Sequence, residues 1–190
     1  WASASSADEL ANDIKTYTKE TLETFKENNV LPEMVQLGNE ISSGNFLQLP
    51  GSDSETFSSY GEPTYLTGKS NVSDAIKGTS GSANMIKYLN AASSGVNEVN
   101  SSIKKIVHWA KGSKISSSII NNFYSSISSV DYDYAGLSLY PYYCFPEGKT
   151  ELNNLLSGLS LDKPWFVAET SYPFTGESYV YENNTNVTNF

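Results

Sequence analysis

The chain has 190 residues, of which 38% are hydrophobic and 17% are charged, a composition typical of a globular domain with a sizeable core. Its formal net charge is −9, and all twelve basic residues are lysines. This charge argues against nucleic acid or an anionic membrane surface as a partner, because both attract clustered basic side chains. The sequence also has no apolar run of about 18 residues, the length that a membrane-spanning helix needs.

The first predicted element is a helix in "SSADELANDIKTYTKETLETFKENN", residues 5–29. Its apolar residues recur at roughly 3.6-residue spacing, which predicts one buried face; they are Leu10, Ile14, Tyr17, Leu22 and Phe25. Ser6 and Glu9 have the spacing of a capping box, and Asn28-Asn29 followed by Pro32 mark the end of the helix. The short strand-like run "MVQLGNE", Met34–Glu40, follows.

Three more helix patterns and three more strand-like runs alternate along the rest of the chain. The polar stretch Ser42–Ser82 comes first and is far longer than an ordinary loop, which indicates a functional excursion. The helix patterns cover Met85–Val99, Ile119–Val130 and Leu152–Leu159, and the strand-like runs cover Lys104–Ala110, Tyr134–Tyr140 and Trp165–Thr170. This alternation predicts an α/β fold with a parallel sheet whose strands are buried on both faces.

Each strand-like run ends in polar or aromatic residues. They are Asn39-Glu40, His108-Trp109, Ser138 with Tyr140, and Glu169-Thr170. In parallel α/β proteins the functional sites lie at the carboxyl ends of the strands, so these side chains are expected in one cleft.

Two glutamates at two strand ends suit glycoside hydrolysis. One carboxylic acid protonates the leaving oxygen, and a second carboxylate acts as nucleophile or base. Glu40 and Glu169 are 129 residues apart in the sequence. A (β/α)₈ barrel uses roughly 31 residues per unit, so three units plus the polar excursion account for this spacing. The two glutamates therefore fit strands three units apart, across a barrel mouth.

Five segments carry a resemblance to a known family. "YTKETLETFKENNVLPEMVQ" and "VQLGNEISSG" are similar to the helix before strand 4 and to strand 4 of glycoside hydrolase family 53, the endo-β-1,4-galactanases. "KKIVHWAKG", "DYDYAGLSLYPYY" and "KPWFVAETSYPFT" resemble its strands 5, 6 and 7. The resemblance runs in order from Trp1 to about Thr175.

The resemblance implies that residues 1–190 are part of a (β/α)₈ TIM barrel, from the helix before strand 4 to strand 7, without strands 1–3 and strand 8. It implies a retaining clan A hydrolase that cleaves internal β-1,4-galactosidic bonds in pectic galactan and type I arabinogalactan. Such an enzyme needs no cofactor, and its partner is the polysaccharide. We also expect a secreted protein that is monomeric at full length.

The resemblance assigns roles to individual residues. Glu40 is the expected general acid/base and Glu169 the expected nucleophile, while Asn39 is expected to bind the hydroxyl next to the reacting carbon. Tyr140 is expected near the nucleophile. His108 and Ser138 are expected to line the cleft and bind substrate, and no metal site is expected because the His, Cys and carboxylate residues lack ligand spacing.

The sequence departs from the family pattern in some places. "FLQLP" replaces the tryptophan-containing "LWP" around Gln48, which puts sugar stacking at one subsite in doubt. The arginine and histidine site residues of strands 1–3 and the tryptophan segment of strand 8 are absent.

Four sequons begin at Asn71, Asn100, Asn183 and Asn186 and are candidate glycosylation sites.

Other interpretations of these residues and of the function remain open at this point. Glu40 and Glu169 also fit solvated loop carboxylates, Asn39 a turn, and His108 and Tyr140 the core. The function also fits another clan A glycosidase, a mannanase or cellulase, or a non-catalytic galactan-binding barrel.

Overall fold

The computed structural model describes residues 4–43, 80–110, 115–140 and 149–171. Most of the polar excursion, including Gln48, lies outside these ranges, and so does Cys144, the single cysteine of the chain. The helices are α1 (Ala7–Glu27), α2 (Ser80–Asn100), α3 (Ser117–Ser126) and α4 (Lys149–Gly158). The strands are β1 (Met34–Gln36), β2 (Lys104–Trp109), β3 (Tyr134–Ser138) and β4 (Trp165–Glu169).

The four strands form one parallel sheet in the order β1-β2-β3-β4. Each strand therefore pairs with the next strand in the chain, and a helix lies between successive strands in sequence. This arrangement confirms the predicted parallel α/β fold, and it places all four carboxyl ends at one edge of the sheet.

Helix α1 begins and ends at the residues that its sequence predicts. The Ser6 side chain accepts a hydrogen bond from the Glu9 N–H at 3.2 Å, as in a capping box. The Glu9 carboxylate bonds to the N–H and hydroxyl of Ser5, both at 2.7 Å, and these bonds lower its pKa. At the other end Asn29 adopts a left-handed conformation with φ of 58°, which Asn tolerates better than most residues.

The two central strands are buried, whereas the two edge strands are not. Val107 and Leu137 are fully buried, but Met34 is 41% exposed and Val167 is 42% exposed. The prediction of burial on both faces is therefore right for β2 and β3 and wrong for β1 and β4. Within the described ranges no strand pairs with the outer edge of either β1 or β4, which leaves their side chains open to solvent.

The predicted apolar face of α1 is also only partly buried. Leu10, Ile14 and Leu22 lie in the core, but Tyr17 is 73% exposed and Phe25 is 42% exposed. These two rings line an apolar groove of about 670 Å³ between α1 and β1. The prediction of one buried face is therefore wrong at these two residues in the described structure, because no described element covers this groove.

Helices α1 and α2 pack closely, and Gly95 lies at their contact. A Cβ atom at this position would lie 2.6 Å from the Lys15 carbonyl oxygen, so only glycine allows the observed approach. Glu98 of α2 forms ion pairs with Lys15 at 2.5 Å and with Lys19 at 3.4 Å. None of the described helices has the length and hydropathy needed to cross a membrane.

A charged network lies at the amino-terminal end of the sheet, away from the strand ends that carry the two glutamates. The Lys105 side chain is 6% exposed, and its Nζ donates to Asp131 Oδ2 at 2.7 Å and to Asn97 at 3.0 Å. Ser93 also donates to Asp131 Oδ2, at 2.9 Å. The hydrogen bond from Lys105, aided by those from Asn97 and Ser93, lowers the pKa of Asp131 to about 2. The network fixes α2 and β2 to the segment that leads into β3.

Candidate active site

A sharp backbone turn after β1 presents Glu40. The Leu37 N–H donates to the Ile106 carbonyl at 2.8 Å, and the chain then leaves the sheet through Gly38, whose φ is 80°. Glu40 itself has a φ of 50°, in the left-handed region that non-glycine residues avoid. Residues with such unfavourable backbone conformations cluster at functional sites, which makes Glu40 a candidate site residue.

Ser42 fixes this turn to the end of β2. It lies in a single 3₁₀ turn, Ile41–Ser43, and is fully buried. Its hydroxyl donates to the Ala110 carbonyl and accepts from the Ala110 N–H at 3.0 Å. Sequence reasoning missed this residue, because it begins a serine-rich stretch in which nothing distinguishes one serine from the next.

His108 and Ser138 lie side by side below Glu40. His108 pairs with Gly136 in the register of β2 and β3, so Ser138, two residues further, points to the same face. The two side chains are 0% and 2% exposed. His108 Nε2 lies 2.8 Å from Ser138 Oγ, and Ser138 Oγ donates to Glu40 Oε1 at 2.7 Å.

A register shift in β4 brings Glu169 to the same face. Leu137 pairs with Val167, but the next residue, Ser138, pairs with Glu169, so that Ala168 is skipped. Without this irregularity Ser138 would pair with Ala168, and the Glu169 side chain would lie on the opposite face of the sheet. Bulges of this kind commonly redirect side chains next to active sites.

Glu169 has its own hydroxyl donor. The Tyr140 hydroxyl donates to Glu169 Oε2 at 2.7 Å, while Glu169 Oε1 lies 3.9 Å from His108 Nδ1. That nitrogen is buried and has no hydrogen-bond partner within the described part of the chain. One oxygen of Glu40, one oxygen of Glu169 and a ring nitrogen of His108 all lie within 4.8 Å of one another.

The two carboxyl groups are close enough for chemistry on one bond. Retaining glycosidases place them about 5–5.5 Å apart, and inverting enzymes leave about 6.5–9.5 Å for a water molecule. The oxygens of Glu40 and Glu169 approach within 4.8 Å, which matches the shorter spacing. A cation is the other ligand that two carboxylates and an imidazole suit, but the hydroxyls of Ser138 and Tyr140 already donate to one oxygen of each carboxylate.

The structure brings five of the six predicted site residues into one cluster. Hydrogen bonds join His108, Ser138 and Glu40. A separate hydrogen bond joins Tyr140 to Glu169, whose Oε1 lies 3.9 Å from His108 Nδ1. Asn39 lies beside it on the exposed side of the turn, where its Oδ1 accepts from Gln36 Nε2 at 3.0 Å. Trp109 is buried as a packing residue, at 1% exposure, and Trp165 lies on the exposed edge of β4.

The sequence matches the family model described as glycosyl hydrolase family 53 over residues 1–189. It is 29% identical over 183 residues to a probable arabinogalactan endo-beta-1,4-galactanase A of Aspergillus tubingensis, and 28% identical over 183 residues to arabinogalactan endo-beta-1,4-galactanase A of Aspergillus niger. Each match covers 90% of this chain and 43% of the relative. The chain thus spans less than half the length of the curated relatives it matches.

The fold is similar to solved structures of the same family. The catalytic domain of the family 53 protein of Ignisphaera aggregans superimposes with a TM-score of 0.60 at 26% identity, over 92% of this chain and 41% of that domain. A fungal beta-1,4-galactanase superimposes with a TM-score of 0.63 at 23% identity, over 94% of this chain and 48% of its own. The four parallel strands are thus part of a (β/α)₈ barrel, as predicted, and the chain belongs to glycosyl hydrolase family 53.

Proposed function

We propose that the protein containing this chain is a retaining glycoside hydrolase that cleaves internal β-1,4-galactosidic bonds in pectic galactan and type I arabinogalactan. The observation that carries the proposal is the approach of Glu40 and Glu169 within 4.8 Å at the carboxyl ends of two strands. The names of the Aspergillus relatives support galactan as the substrate.

In this mechanism Glu169 attacks the anomeric carbon and Glu40 protonates the departing glycosidic oxygen. Glu40 then removes a proton from the water that hydrolyses the glycosyl-enzyme. The Tyr140 hydroxyl, which donates to Glu169 Oε2, orients the nucleophile and leaves Oε1 for the attack. Asn39, next to Glu40 on the exposed side of the turn, binds the sugar hydroxyl beside the reacting carbon.

The proposal includes a secreted, glycosylated and monomeric protein. A polysaccharide substrate is too large to enter a cell, which favours secretion. The sequon at Asn100 supports glycosylation, because this residue is exposed at the last position of α2. Mass spectrometry of the protein before and after deglycosylation tests this part separately.

The test of the main proposal is hydrolysis by the full-length protein. We expect release of reducing ends from β-1,4-galactan, with little release from mannan or cellulose. Proton NMR of the first product should show the β-anomer, which then mutarotates. Preferential hydrolysis of mannan or cellulose would assign a different clan A activity, an α-anomer would exclude retention, and binding of galactan without hydrolysis would identify a non-catalytic barrel.

A further inference from the structure

The hydrogen bonds around Ser138 determine which ring nitrogen of His108 carries a hydrogen. The hydroxyl has one proton, and Ser138 Oγ donates it to Glu40 Oε1 at 2.7 Å. The contact of 2.8 Å between Ser138 Oγ and His108 Nε2 therefore requires that Nε2 carries a hydrogen and that Oγ accepts it. Ser138 thus receives one hydrogen bond from β2 and gives one to the turn after β1.

We propose that Ser138 is a positioning residue for Glu40 and that His108 orients its hydroxyl. This inference rests on the proposed galactanase function. Oε1 of Glu40 is engaged with a buried hydroxyl, so Oε2 is the oxygen that carries the transferable proton to the glycosidic oxygen. From the sequence we expected both residues to contact substrate. Their exposures of 0% and 2% and their hydrogen bonds instead favour an effect exerted through Glu40.

The backbone at Glu40 explains why its carboxylate needs a hydrogen-bond partner such as Ser138. Glu40 follows a glycine-containing turn and has a left-handed backbone, so the strand itself does not fix its side chain. General acid catalysis depends on placing the proton donor within hydrogen-bond reach of the leaving oxygen. The titratable groups that face this cluster are Glu40 after β1, His108 on β2, Tyr140 after β3 and Glu169 on β4.

The first test compares two substrates in the full-length protein with Ser138→Ala. Galactan has a poor leaving group and needs the acid, whereas a dinitrophenyl β-galactobioside does not. We expect kcat/KM on galactan to fall about 100-fold and kcat/KM on the aryl substrate to fall less than about 3-fold.

Two variants of His108 test its role without altering Ser138. His108→Phe removes the N–H that donates to the serine, and we expect it to reproduce the selective loss on galactan. His108→Gln keeps an amide N–H at a similar reach and should recover kcat/KM on galactan to within about 5-fold of the wild type. If Ser138→Ala does not fold, these two variants decide the proposal. Equal losses of kcat/KM on galactan in His108→Phe and His108→Gln would contradict it.

Ser93→Ala is the matched control. Ser93 is also a buried serine that donates to a carboxylate, Asp131, but it lies at the opposite end of the sheet. We expect Ser93→Ala to lower the thermal midpoint while leaving the ratio of kcat/KM on galactan to kcat/KM on the aryl substrate unchanged. Equal loss on galactan and on the aryl substrate in Ser138→Ala would show a purely structural serine and overturn the inference. Absence of galactan hydrolysis in the wild-type protein would instead overturn the proposed function.

Discussion

Each of the two glutamates in the candidate site accepts a hydrogen bond from a different hydroxyl. Ser138 donates to Glu40 and Tyr140 donates to Glu169, and both bonds are 2.7 Å long. The serine is buried and in contact with His108, whereas the tyrosine is only partly buried. Two chemically identical side chains thus have different surroundings, as is required for one to act as acid and the other as nucleophile.

This difference predicts the behaviour of Glu40→Ala. The variant should lose galactan hydrolysis by a factor of about 10² to 10⁴, the usual contribution of a general acid. It should still form a glycosyl-enzyme from a dinitrophenyl glycoside, because that leaving group departs without protonation. Stopped-flow release of dinitrophenol measures this step, and the absence of a burst under conditions where the wild type shows one would contradict the acid/base role.

The network around Lys105 predicts how stability depends on acid. The pKa of Asp131 is lowered to about 2 by its bond to Lys105, so the bond contributes stability above the ordinary aspartate pKa of about 4. This contribution is lost as the pH falls from about 4 to about 2. Since Asp131 is 61% exposed, solvent screening limits the contribution to about 1 kcal/mol.

The measurement is urea denaturation of the wild type and of Asp131→Asn between pH 7 and pH 2. Asp131→Asn should be about 1 kcal/mol less stable at pH 7, and the two proteins should converge near pH 2. A constant difference across this pH range would show that the carboxylate is not what stabilises the network.

The sequence allowed the prediction of the residues whose chemistry is unusual at a strand end. An amide and a carboxylate at Asn39 and Glu40, or a histidine in an apolar run, are visible without a structure. The hydrogen bonds of Ser42 to Ala110 and the positioning of Glu40 by Ser138 were not predictable in this way. Serine is common in this chain, and its effect depends on which carbonyl or carboxylate lies within about 3 Å of it.

Among the secondary-structure elements, all four helices were predicted, although the helix expected over Ile119–Val130 ends at Ser126. The register of the strands was not predicted. The residues at both ends of α1 follow from local capping rules. The skipped residue Ala168 in β4 decides which face Glu169 occupies, and it depends on pairing with β3 rather than on the sequence of β4 alone. A period-2 pattern cannot reveal a register shift of one residue.

The contact between α1 and α2 predicts the effect of Gly95→Ala. Alanine in a helix is normally about 1 kcal/mol more favourable than glycine. Here the added Cβ would lie 2.6 Å from a backbone oxygen of α1, which forces the helices apart. We expect a net loss of about 1–2 kcal/mol in the free energy of unfolding, measured by urea denaturation. A gain in stability would show that the two helices separate without cost.

At the scale of the whole molecule, both outer edges of the sheet lack a partner strand among the residues that the structure describes. Strand β1 and helix α1 line the groove that contains Tyr17 and Phe25, and β4 exposes Trp165 and Val167. The sequence predicted the alternation that produces this sheet, but the patterns of α1 and β4 predicted burial that the described structure does not show. A hydrophobic pattern reflects the burial of a face in the whole folded protein. This chain spans less than half the length of the relatives it matches.

The open edges predict that residues 1–190 alone are poorly soluble and inactive on galactan. Unpaired parallel edges with exposed apolar side chains promote aggregation. The cleft would also have a wall on one side only. The measurement compares the soluble fraction and the galactan turnover of the isolated chain and of the full-length protein at equal concentration. Comparable turnover would contradict the view that further strands complete the barrel.

The most direct test of the central claim is the identity of the residue that becomes glycosylated. A 2-fluoro-galactobioside with a good leaving group should trap the covalent intermediate in the full-length protein. Peptide mapping by mass spectrometry should then place the sugar on Glu169, which lies at the end of β4 and accepts the Tyr140 hydroxyl bond. An adduct on Glu40 would reverse the two roles, and an adduct on any other residue would contradict the assignment of this cluster as the active site.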